Sequence, residues 1–426
     1  MSLEKKITEG TETPRVVLAA LELPGNTGGQ ASLEELARLV DTAGGECFAV
    51  LTQQREAPDV RTCIGKGKVE ELKQICSDNE ISLVVFDCEL SPSQLRNLEE
   101  DLDGPSVIDR SMLILDIFAK HAVTREGKLQ VELAQLGYTV PRLIGKGKSL
   151  SRLGGTIGTR GPGESQLETD RRHVHRRMDA LRSALAEIEK NRGTMRAARD
   201  RSGIPKVAIA GYTNAGKSTL MNALCEADIL AEDKLFATLD PTTRRYLLPD
   251  GSDVLLTDTV GFIRNLPHQL ISAFRSTLDE VRYADVILLV IDSSDPEAEA
   301  QTRVTERLLS ELGADEKPRI YVFNKIDACP EIPAGIHSDP ESGIWSCSVS
   351  AKNGAGLALL AELIGTVAYR DKRHTQFFFP YSAAAELNRL LNLTPVTDVQ
   401  HEDEGTRVRL TADEKIRGMF AAYLTE

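Results

Sequence analysis

A strand, a glycine-bounded loop and a helix follow one another from Lys206 to Cys225, and this order constrains the fold more than any other stretch of the chain. The β-branched residues Val207 and Ile209 predict a buried strand. The loop after it, G-Y-T-N-A-G-K-S, fits the pattern G-x-x-x-x-G-K-[ST], and a helix is predicted to follow. Because glycines let backbone N–H groups turn inward around phosphate oxygens, the stretch predicts a nucleoside triphosphate site on a P-loop fold.

Two side chains of this loop have predicted chemical roles. Lys217 is expected to reach the β- and γ-phosphates, and the Ser218 hydroxyl is expected to ligate Mg²⁺. The loop residues predicted to contact the nucleotide are Gly211, Tyr212, Thr213, Asn214, Ala215, Gly216, Lys217, Ser218 and Thr219.

The length of the chain, 426 residues, predicts two to four domains. Aliphatic runs such as 286–291 are far shorter than the ~20 residues that cross a bilayer, and no basic-then-apolar leader is present, so we expect a cytoplasmic protein without a membrane span. Seven cysteines without C-x-x-C pairs predict reduced thiols and no zinc site.

Charge is distributed unevenly along the chain. The net charge is −13, yet residues 121–204 hold 17 Lys and Arg against nine Asp and Glu, which makes that segment +8 and the remainder −21. A basic segment inside an acidic protein indicates a localised anionic partner. The alternative is a solvated helical face that is rich in arginine.

Apolar spacing predicts an antiparallel helical hairpin in this basic segment. Two predicted helices, one at 111–135 and one at about 165–199, carry apolar residues at steps of three and four: Leu129, Leu133 and Leu136 on the first, and Val174, Met178, Leu181, Leu185 and Ile188 on the second. Pro141 is expected to interrupt the first helix.

A glycine-rich stretch at 145–164, G-K-G-K-S-L-S-R-L-G-G-T-I-G-T-R-G-P-G-E, would form the tip of the hairpin. It has almost nothing to bury, so it cannot fold alone. One interpretation is a flexible linker. The other is an arm that approaches phosphates through its glycines and its basic side chains Lys146, Lys148, Arg152 and Arg160. Further phosphate contacts are expected from Arg171, Arg172, Arg176 and Arg177 on the second helix.

A D-x-x-G motif, Asp258-Thr259-Val260-Gly261, follows a predicted strand at 254–257. Asp258 would hold Mg²⁺ through water, and the Gly261 N–H would meet the γ-phosphate. The position of the motif after the phosphate loop is the one that a phosphate-sensing switch requires.

Two later motifs predict guanine as the base. In Asn324-Lys325-Ile326-Asp327, the Asp327 carboxylate can accept both N–H donors of the guanine edge, while Lys325 can lay its stem over the base. Adenine has no matching pair, and the unpaired buried charge would cost about 1.5–3 kcal/mol or more. In the second motif, Ser350-Ala351-Lys352, a backbone N–H can serve the guanine carbonyl. Together the motifs predict a GTPase domain that binds GTP and releases GDP.

The segment between the first two motifs, 236–244 (F-A-T-L-D-P-T-T-R), should supply a threonine that ligates Mg²⁺ and covers the γ-phosphate. Thr238, Thr242 and Thr243 all have the required hydroxyl. The nucleotide contacts predicted here are Phe236, Ala237, Thr238, Leu239 and Asp240.

The strings G-Y-T-N-A-G-K-S-T, L-F-A-T-L-D-P-T-T-R and D-T-V-G-F-I resemble the HflX group of translation-factor-related GTPases. The resemblance extends to G-K-G-K-V-E-E-L near the start and to R-L-G-G-T-I-G-T-R-G-P-G-E at the hairpin tip, and it is weakest in the C-terminal domain. It implies that Thr238 is the magnesium threonine and that Lys217, Thr238 and Gly261 act in hydrolysis. It also implies binding to the large ribosomal subunit and its rRNA, and the splitting of stalled or hibernating ribosomes. A monomer is expected.

One position departs from common GTPase chemistry. Phe262 follows Gly261, where many GTPases carry a glutamine that orients the attacking water. One hypothesis is that a partner supplies the missing group. The other is that Asn214 holds a K⁺ ion that stabilises charge in the transition state.

The expected fold is therefore α/β with four domains. They are a small parallel α/β subdomain (1–120), the basic helical hairpin (121–204), a GTPase domain with a mixed, mostly parallel sheet (205–370), and a small α+β domain (371–426). Two other functions stay open: a GTP-switched factor that remodels or modifies RNA, and a non-ribosomal interaction protein regulated by GTP.

Overall fold

The computed structural model describes residues 13–24, 29–143, 162–200, 203–225, 235–236, 241–264, 280–339, 344–370, 372–394 and 396–425. The chain forms two compact units. The first contains Met1–Ala186, Glu232–Asp240 and Gly261–Thr277, and the second contains Glu187–Ala231, Pro241–Val260 and Leu278–Glu426.

The first unit begins with a four-stranded parallel sheet in the order β2-β1-β3-β4. Its strands are β1 (Arg15–Glu22), β2 (Glu46–Gln54), β3 (Leu83–Phe86) and β4 (Ser106–Asp109). Its helices are α1 (Gly29–Ala43), α2 (Lys66–Asp78), α3 (Pro92–Leu102) and α4 (Arg110–His121). Because helices cover a parallel sheet, its central strands carry continuous apolar runs: five consecutive residues of β1 and all four residues of β3 are buried. The predicted parallel α/β layer is confirmed.

Side-chain caps start two of these helices. Ser91 caps α3 through a capping box with Gln94, and Pro92 occupies the first turn, where its missing N–H costs nothing. Asp109, which is fully buried, caps α4 by accepting a hydrogen bond from the Met112 N–H. These caps fix the helix starts at the carboxyl edge of the sheet.

Helices α5 (Arg125–Leu143) and α6 (Pro162–Asp200) follow. The single helix predicted at 111–135 is in fact two, since α4 ends at His121. The prediction that Pro141 interrupts the helix is wrong, because α5 continues through it to Leu143. A proline this near the end removes only one donor from the last turn. In the same turn the Arg142 guanidinium donates to the Tyr138 carbonyl (2.7 Å).

Arg177 of α6 donates to both carboxylate oxygens of Glu132 on α5, at 2.6 and 2.7 Å. On α6, Met178 and Leu181 are buried, as the predicted stripe requires. On α5 the buried apolar residues are Val131, Ala134 and Tyr138, whereas the predicted leucines are only half-buried: Leu129, Leu133 and Leu136. Residues 145–161 of the predicted hairpin tip lie outside the described residues.

The second unit contains a seven-stranded mixed sheet in the order β10-β11-β9-β8-β5-β7-β6, in which only the edge strands β6 and β10 run antiparallel to their neighbours. Its strands are β5 (Lys206–Gly211), β6 (Thr242–Leu247), β7 (Asp253–Asp258), β8 (Val286–Asp292), β9 (Arg319–Asn324), β10 (Gly335–Asp339) and β11 (Ile344–Ser348). Its helices are α7 (Lys217–Cys225), α8 (Ala298–Glu311) and α9 (Leu357–Ala368). Buried residues of β5, β8 and β9 pack with those of α7 and α9 into one core.

The same unit ends in a four-stranded antiparallel sheet in the order β13-β14-β12-β15. Its strands are β12 (Lys372–Pro380), β13 (Asp398–Glu402), β14 (Gly405–Asp413) and β15 (Leu424–Thr425), and its helices are α10 (Ala384–Leu393) and α11 (Glu414–Met419). Three aromatic rings, Phe377, Phe379 and Phe420, fill its core. The predicted fold class is confirmed. Within the described ranges, none of the helices has the length and apolar character needed to span a bilayer.

Candidate nucleotide site

The glycine-bounded loop begins where β5, an inner strand of the mixed sheet, ends at Gly211, and it leads into α7. Gly216 has φ +91°, and a Cβ there would collide with the Asn324 side chain. A Cβ at Gly211 would likewise collide with the Val290 carbonyl oxygen of β8. Both positions therefore require glycine, because neighbouring strands approach the loop too closely for a side chain.

Lys217 lies buried inside the loop, and its Nζ donates to the Tyr212 carbonyl oxygen at 2.8 Å. Burial lowers its pKa from 10.5 to about 8; the Asp258 carboxylate opposes this effect and the Lys325 ammonium adds to it. The ammonium is thus held across the loop by one backbone oxygen. A phosphate group placed in the loop would offer it a stronger, charged partner.

Ser218 and Asp258 lie side by side. The Ser218 hydroxyl donates to Asp258 Oδ2 at 2.7 Å, and the Asp258 side chain, at the end of β7, is fully buried. The next residue, Thr259, anchors this strand end through a hydrogen bond to the Ile209 carbonyl of β5 (2.7 Å). The hydroxyl and the buried carboxylate together offer hard oxygen ligands, so the two residues fit a Mg²⁺ ion.

Asn324, at the end of β9, joins the phosphate loop to the last of the predicted motifs. Its Nδ2 donates to the Ala215 carbonyl at 2.9 Å, and its Oδ1 accepts from the Ala351 N–H at 3.0 Å. The asparagine is almost completely buried, so both bonds are shielded from water. Loops that are far apart in sequence are thereby fixed in one geometry.

Ser350 orients the Asp327 carboxylate. Its hydroxyl donates to Asp327 Oδ1 at 2.6 Å, and this bond is the main reason why the pKa of Asp327 lies below its usual value. The Asp327 carboxylate is therefore ionised, and the Ser350 hydroxyl holds it through its Oδ1 atom. Sequence reasoning assigned Ser350 only to a backbone contact with the base, so the role of its hydroxyl was missed.

Asp292 is a second residue that sequence reasoning missed. Lys325 adopts a left-handed conformation (φ 64°), and its Nζ pairs with Asp292 Oδ2 at 2.7 Å. Asp292 Oδ1 in turn accepts from the backbone N–H and the hydroxyl of Ser294, at 3.0 and 2.6 Å. The available signal was its position: Asp292 ends an apolar parallel strand at the carboxyl edge, where polar residues of such sheets meet a ligand.

The residues predicted for the switch segments are only partly described. Phe236 and Gly261 belong to the first unit, and residues 237–240, with Thr238, lie outside the described residues. Phe236 is buried at φ 60° with its ring edge-on to Phe118 (4.6 Å between centroids). The neighbouring N–H, that of Leu235, donates to Thr42 Oγ1 at 3.3 Å.

The other two candidate threonines lie in β6. Thr243 shares a hydrogen bond with Thr257 of β7 (3.0 Å between the hydroxyl oxygens), and Thr242 pairs in register with Asp258. Phe262 is buried in the first unit, with 1% of its surface exposed. Its ring is therefore part of a core and does not line an open site.

The remaining residues predicted to contact the nucleotide belong to one unit, together with their motifs. The second unit contains Gly211, Tyr212, Thr213, Asn214, Ala215, Gly216, Lys217, Ser218, Thr219, Asp258, Thr259, Val260, Asn324, Lys325, Ile326, Asp327, Ser350, Ala351 and Lys352. A phosphate loop at the end of an inner parallel strand, tied through Asn324 to a loop with an ionised aspartate, defines the class: a P-loop domain for guanine nucleotides.

Comparison with protein families agrees with this class. Family models described as GTP-binding GTPase N-terminal, GTP-binding GTPase Middle Region and 50S ribosome-binding GTPase match residues 30–119, 121–199 and 206–325.

Curated relatives match along most of the chain. A protein named GTPase HflX from Caldanaerobacter subterraneus subsp. tengcongensis is 50% identical over 380 residues, which cover 89% of this chain and 87% of the relative. GTPase HflX of Escherichia coli strain K12 is 45% identical over 346 residues, which cover 80% and 81%. The chain belongs to the HflX family of GTPases, whose reaction is the hydrolysis of GTP to GDP and phosphate.

A solved structure is similar as well, at a greater distance. It is the GDP complex of a GTP-binding protein from Sulfolobus solfataricus, which is 26% identical and aligns with 84% of this chain and 99% of that chain at a TM-score of 0.44.

Proposed function

We propose that the protein binds GTP with Mg²⁺, associates in that state with the large ribosomal subunit and its rRNA, and thereby splits or rescues stalled or hibernating ribosomes. Hydrolysis then drives its release. The observation that carries the nucleotide part is the pair of hydrogen bonds from Asn324 to Ala215 and Ala351, which holds the phosphate loop and the base-recognition loop in one geometry.

The binding step follows from the charges that the site already orders. Backbone N–H groups of 211–219 surround the phosphates, and Lys217 moves from the Tyr212 carbonyl to the β- and γ-phosphates. Asp327, ionised and held by Ser350, accepts the two guanine donors. Lys325, held by Asp292, lies along the base.

In the hydrolysis step three residues are assigned to the Mg²⁺ ion. Ser218 and Thr238 are its direct ligands, and Asp258 holds it through water. Mg²⁺, when bound, supplies positive charge to the β- and γ-phosphates. The Gly261 N–H is assigned to the γ-phosphate, and Phe236, Ala237, Leu239 and Asp240 are assigned to the segment that covers it. Both segments are assigned to order in the GTP state and to loosen afterwards.

The water-orienting group is assigned to the partner or to a K⁺ ion at Asn214, because Phe262 is an apolar, buried side chain. GTP turnover measured in KCl and in NaCl, with and without large subunits, separates the two. Stimulation by subunits in both salts supports the partner, and stimulation by KCl alone supports the ion. Equal rates in all four conditions would refute both.

Ribosome association is supported by the family model that matches 206–325, which is described as a 50S ribosome-binding GTPase, and by the +8 charge of 121–204. The rRNA contacts are assigned to the glycine-rich tip of the predicted hairpin. We keep the four proposed domains, 1–120, 121–204, 205–370 and 371–426, and the tip belongs to the second of them. An rRNA target is consistent with a protein that acts in the cytoplasm. We propose that it acts there as a monomer.

Replacing Lys146, Lys148, Arg152 and Arg160 with Ala tests the tip. We expect weaker binding to large subunits and a shallower dependence of affinity on salt, by about one unit of slope per lost contact. The matched control removes four exposed arginines of the second unit, Arg303, Arg307, Arg389 and Arg409, with the same change in net charge. Identical behaviour of the two variants would show that the tip contributes no specific contact.

A further inference from the structure

Two cysteine sulfurs that have no role in the proposed nucleotide site meet in the first unit. Cys63 Sγ and Cys88 Sγ lie 3.2 Å apart, and both are free thiols. Cys63 belongs to the loop between β2 and α2, and Cys88 follows β3 by two residues. The distance is a hydrogen-bond contact between sulfurs, so little movement separates the pair from a covalent bond.

The surrounding loop fixes the position of the Cys63 sulfur. Asp59 and Cys63 exchange two backbone hydrogen bonds (2.8 and 3.0 Å), and the Asp59 carboxylate accepts from the N–H groups of Arg61 and Thr62. Gln94 of α3 donates to the Asp59 carbonyl at 2.8 Å. Cys63 itself sits at φ 65°, a conformation that a non-glycine residue keeps only where its surroundings enforce it.

The two thiols differ in acidity because one donates to the other. The hydrogen bond from Cys88 lowers the pKa of Cys63 and outweighs its burial, while the same bond, together with burial, raises the pKa of Cys88. Cys63 is therefore the more acidic of the two thiols and the one that ionises first. Cys63 is only 2% exposed, whereas Cys88 is partly exposed, so a reagent must be small to reach the pair.

We propose that Cys63 and Cys88 form a modification site at which hydrogen peroxide produces an intramolecular disulfide. The Cys63 thiolate attacks a peroxide oxygen, the O–O bond breaks, and Cys63 becomes a sulfenic acid while hydroxide leaves. That hydroxide takes the Cys88 proton and becomes water. The Cys88 thiolate then attacks the Cys63 sulfur, the S–O bond breaks, and hydroxide leaves to be protonated by solvent. In total, two thiols and one peroxide give one disulfide and two waters.

The bond would tie the loop before α2 to the carboxyl end of β3 and close a ring that runs through α2. It is reversible by thiols, as expected for a disulfide formed from a partly exposed pair.

The test exposes the full-length native protein to hydrogen peroxide, blocks free thiols with N-ethylmaleimide in denaturant, and identifies tryptic peptides by mass spectrometry. We expect the peptide with Cys63 joined to the peptide with Cys88, about 2 Da lighter than the sum of the two and released by dithiothreitol. If both thiols are still alkylated after peroxide, or if each is oxidised to a sulfinic acid without a cross-link, the proposal is overturned.

Cys76 supplies the matched control, since it lies on the same tryptic peptide as Cys88 and in the same hydrophobic cluster, where burial raises its pKa to about 11. The Cys76→Ala variant should keep the cross-link, and the Cys88→Ala variant should lose it. Retained GDP binding shows that each variant is folded. A cross-link that survives in Cys88→Ala and disappears in Cys76→Ala would assign the bond to the wrong pair and contradict the proposal.

Discussion

At the scale of the residue, Lys217 shows how the fold sets a charge for its task. Its pKa of about 8 results mainly from burial, and the phosphate groups of a nucleotide would favour the charged form. The folded, ligand-free lysine therefore binds fewer protons than the unfolded chain between pH 8 and its ordinary 10.5, and the free energy of unfolding contributed by this group rises with pH across that window.

Nucleotide binding should accordingly take up a proton above pH 8. We expect the Kd for GDP to rise with pH in that range, approaching a limit of about tenfold per pH unit. Calorimetry at pH 8.5 in buffers of different ionisation enthalpy measures the uptake directly, and guanosine, which lacks phosphate, is the control ligand. Binding of GDP without proton uptake would show that the lysine is fully charged in the free protein.

Asp292 is expected to act as a positioning residue for base recognition, because it holds Lys325 at 2.7 Å and is itself held by Ser294. The Asp292→Asn variant keeps the size of the side chain and removes its charge. We expect a loss of about 1–2 kcal/mol in GDP affinity, since a partly exposed ion pair is worth less than a buried one. Asp295→Asn, in the same loop but bonded to Glu297 and Gln301, is the matched control.

The readouts that distinguish positioning from general stability are the affinities for GDP and for inosine diphosphate, each measured beside the melting temperature. A weaker affinity for both nucleotides at an unchanged melting temperature is expected for Asp292→Asn, because Lys325 contacts the base face that they share. A lower melting temperature with unchanged affinity would make Asp292 a purely structural residue.

The motifs named the residues that we predict to carry chemistry, but they gave no signal of the residues that hold them. Asp292 and Lys325 are far apart in sequence, and they meet only because β8 and β9 are neighbours with Asp292 paired to Asn324. The Ser350 hydroxyl likewise meets Asp327 only after β9 and β11 pair. Such contacts depend on strand order, which a motif does not contain.

At the scale of the element, the long helix α6 depends on a short buried stripe. Leu181 is 1% exposed, whereas Leu185, one turn further along, is half-buried. Periodicity predicted both positions correctly as the apolar face, but it could not rank them, because burial depends on what the facing helix presents. On α5 the facing side chains are Val131, Ala134 and Tyr138, which differ from the predicted leucines.

Leu181→Ala should therefore cost about 2–5 kcal/mol of stability in the first unit, through lost burial and a residual cavity. Leu185→Ala, the control on the same helix, should cost about 1–2 kcal/mol because less of that side chain leaves water. Urea unfolding followed by hydrogen exchange in α5 and α6 measures the difference. Equal losses in the two variants would contradict the assigned packing.

Pro141 marks the limit of local rules at this scale. A proline in a helix interior usually ends it, yet α5 continues for two residues, since the penalty falls on a last turn that has few backbone bonds left to lose. The capping box of α3, by contrast, is local, because Ser91 and Gln94 are only three residues apart.

At the scale of the whole molecule, each predicted switch segment is divided between the two compact units: 236–240 and 261–264 belong to the first, whereas 241–244 and 258–260 belong to the second with the phosphate loop. Phe236, two residues before Thr238, is buried against Phe118 of the N-terminal α/β layer, while the phosphate loop belongs to the second unit. Under the proposed function, ordering of 236–244 by GTP would therefore act on the N-terminal α/β layer through the contact between Phe236 and Phe118. Neither the motifs nor the charge pattern could show this contact, because an isolated phenylalanine gives no signal of its partner.

The most direct test of the account is a sucrose gradient of ribosomes incubated with the protein and either a non-hydrolysable GTP analogue or GDP, with Lys217→Ala as the nucleotide-binding control. We expect the protein to migrate with large subunits in the GTP-analogue state, the 70S peak to decrease in favour of free subunits, and neither effect with GDP or with the control variant. A protein that stays at the top of the gradient at low salt with either nucleotide, or that binds equally well with both, would contradict the claim that GTP controls its association with the ribosome.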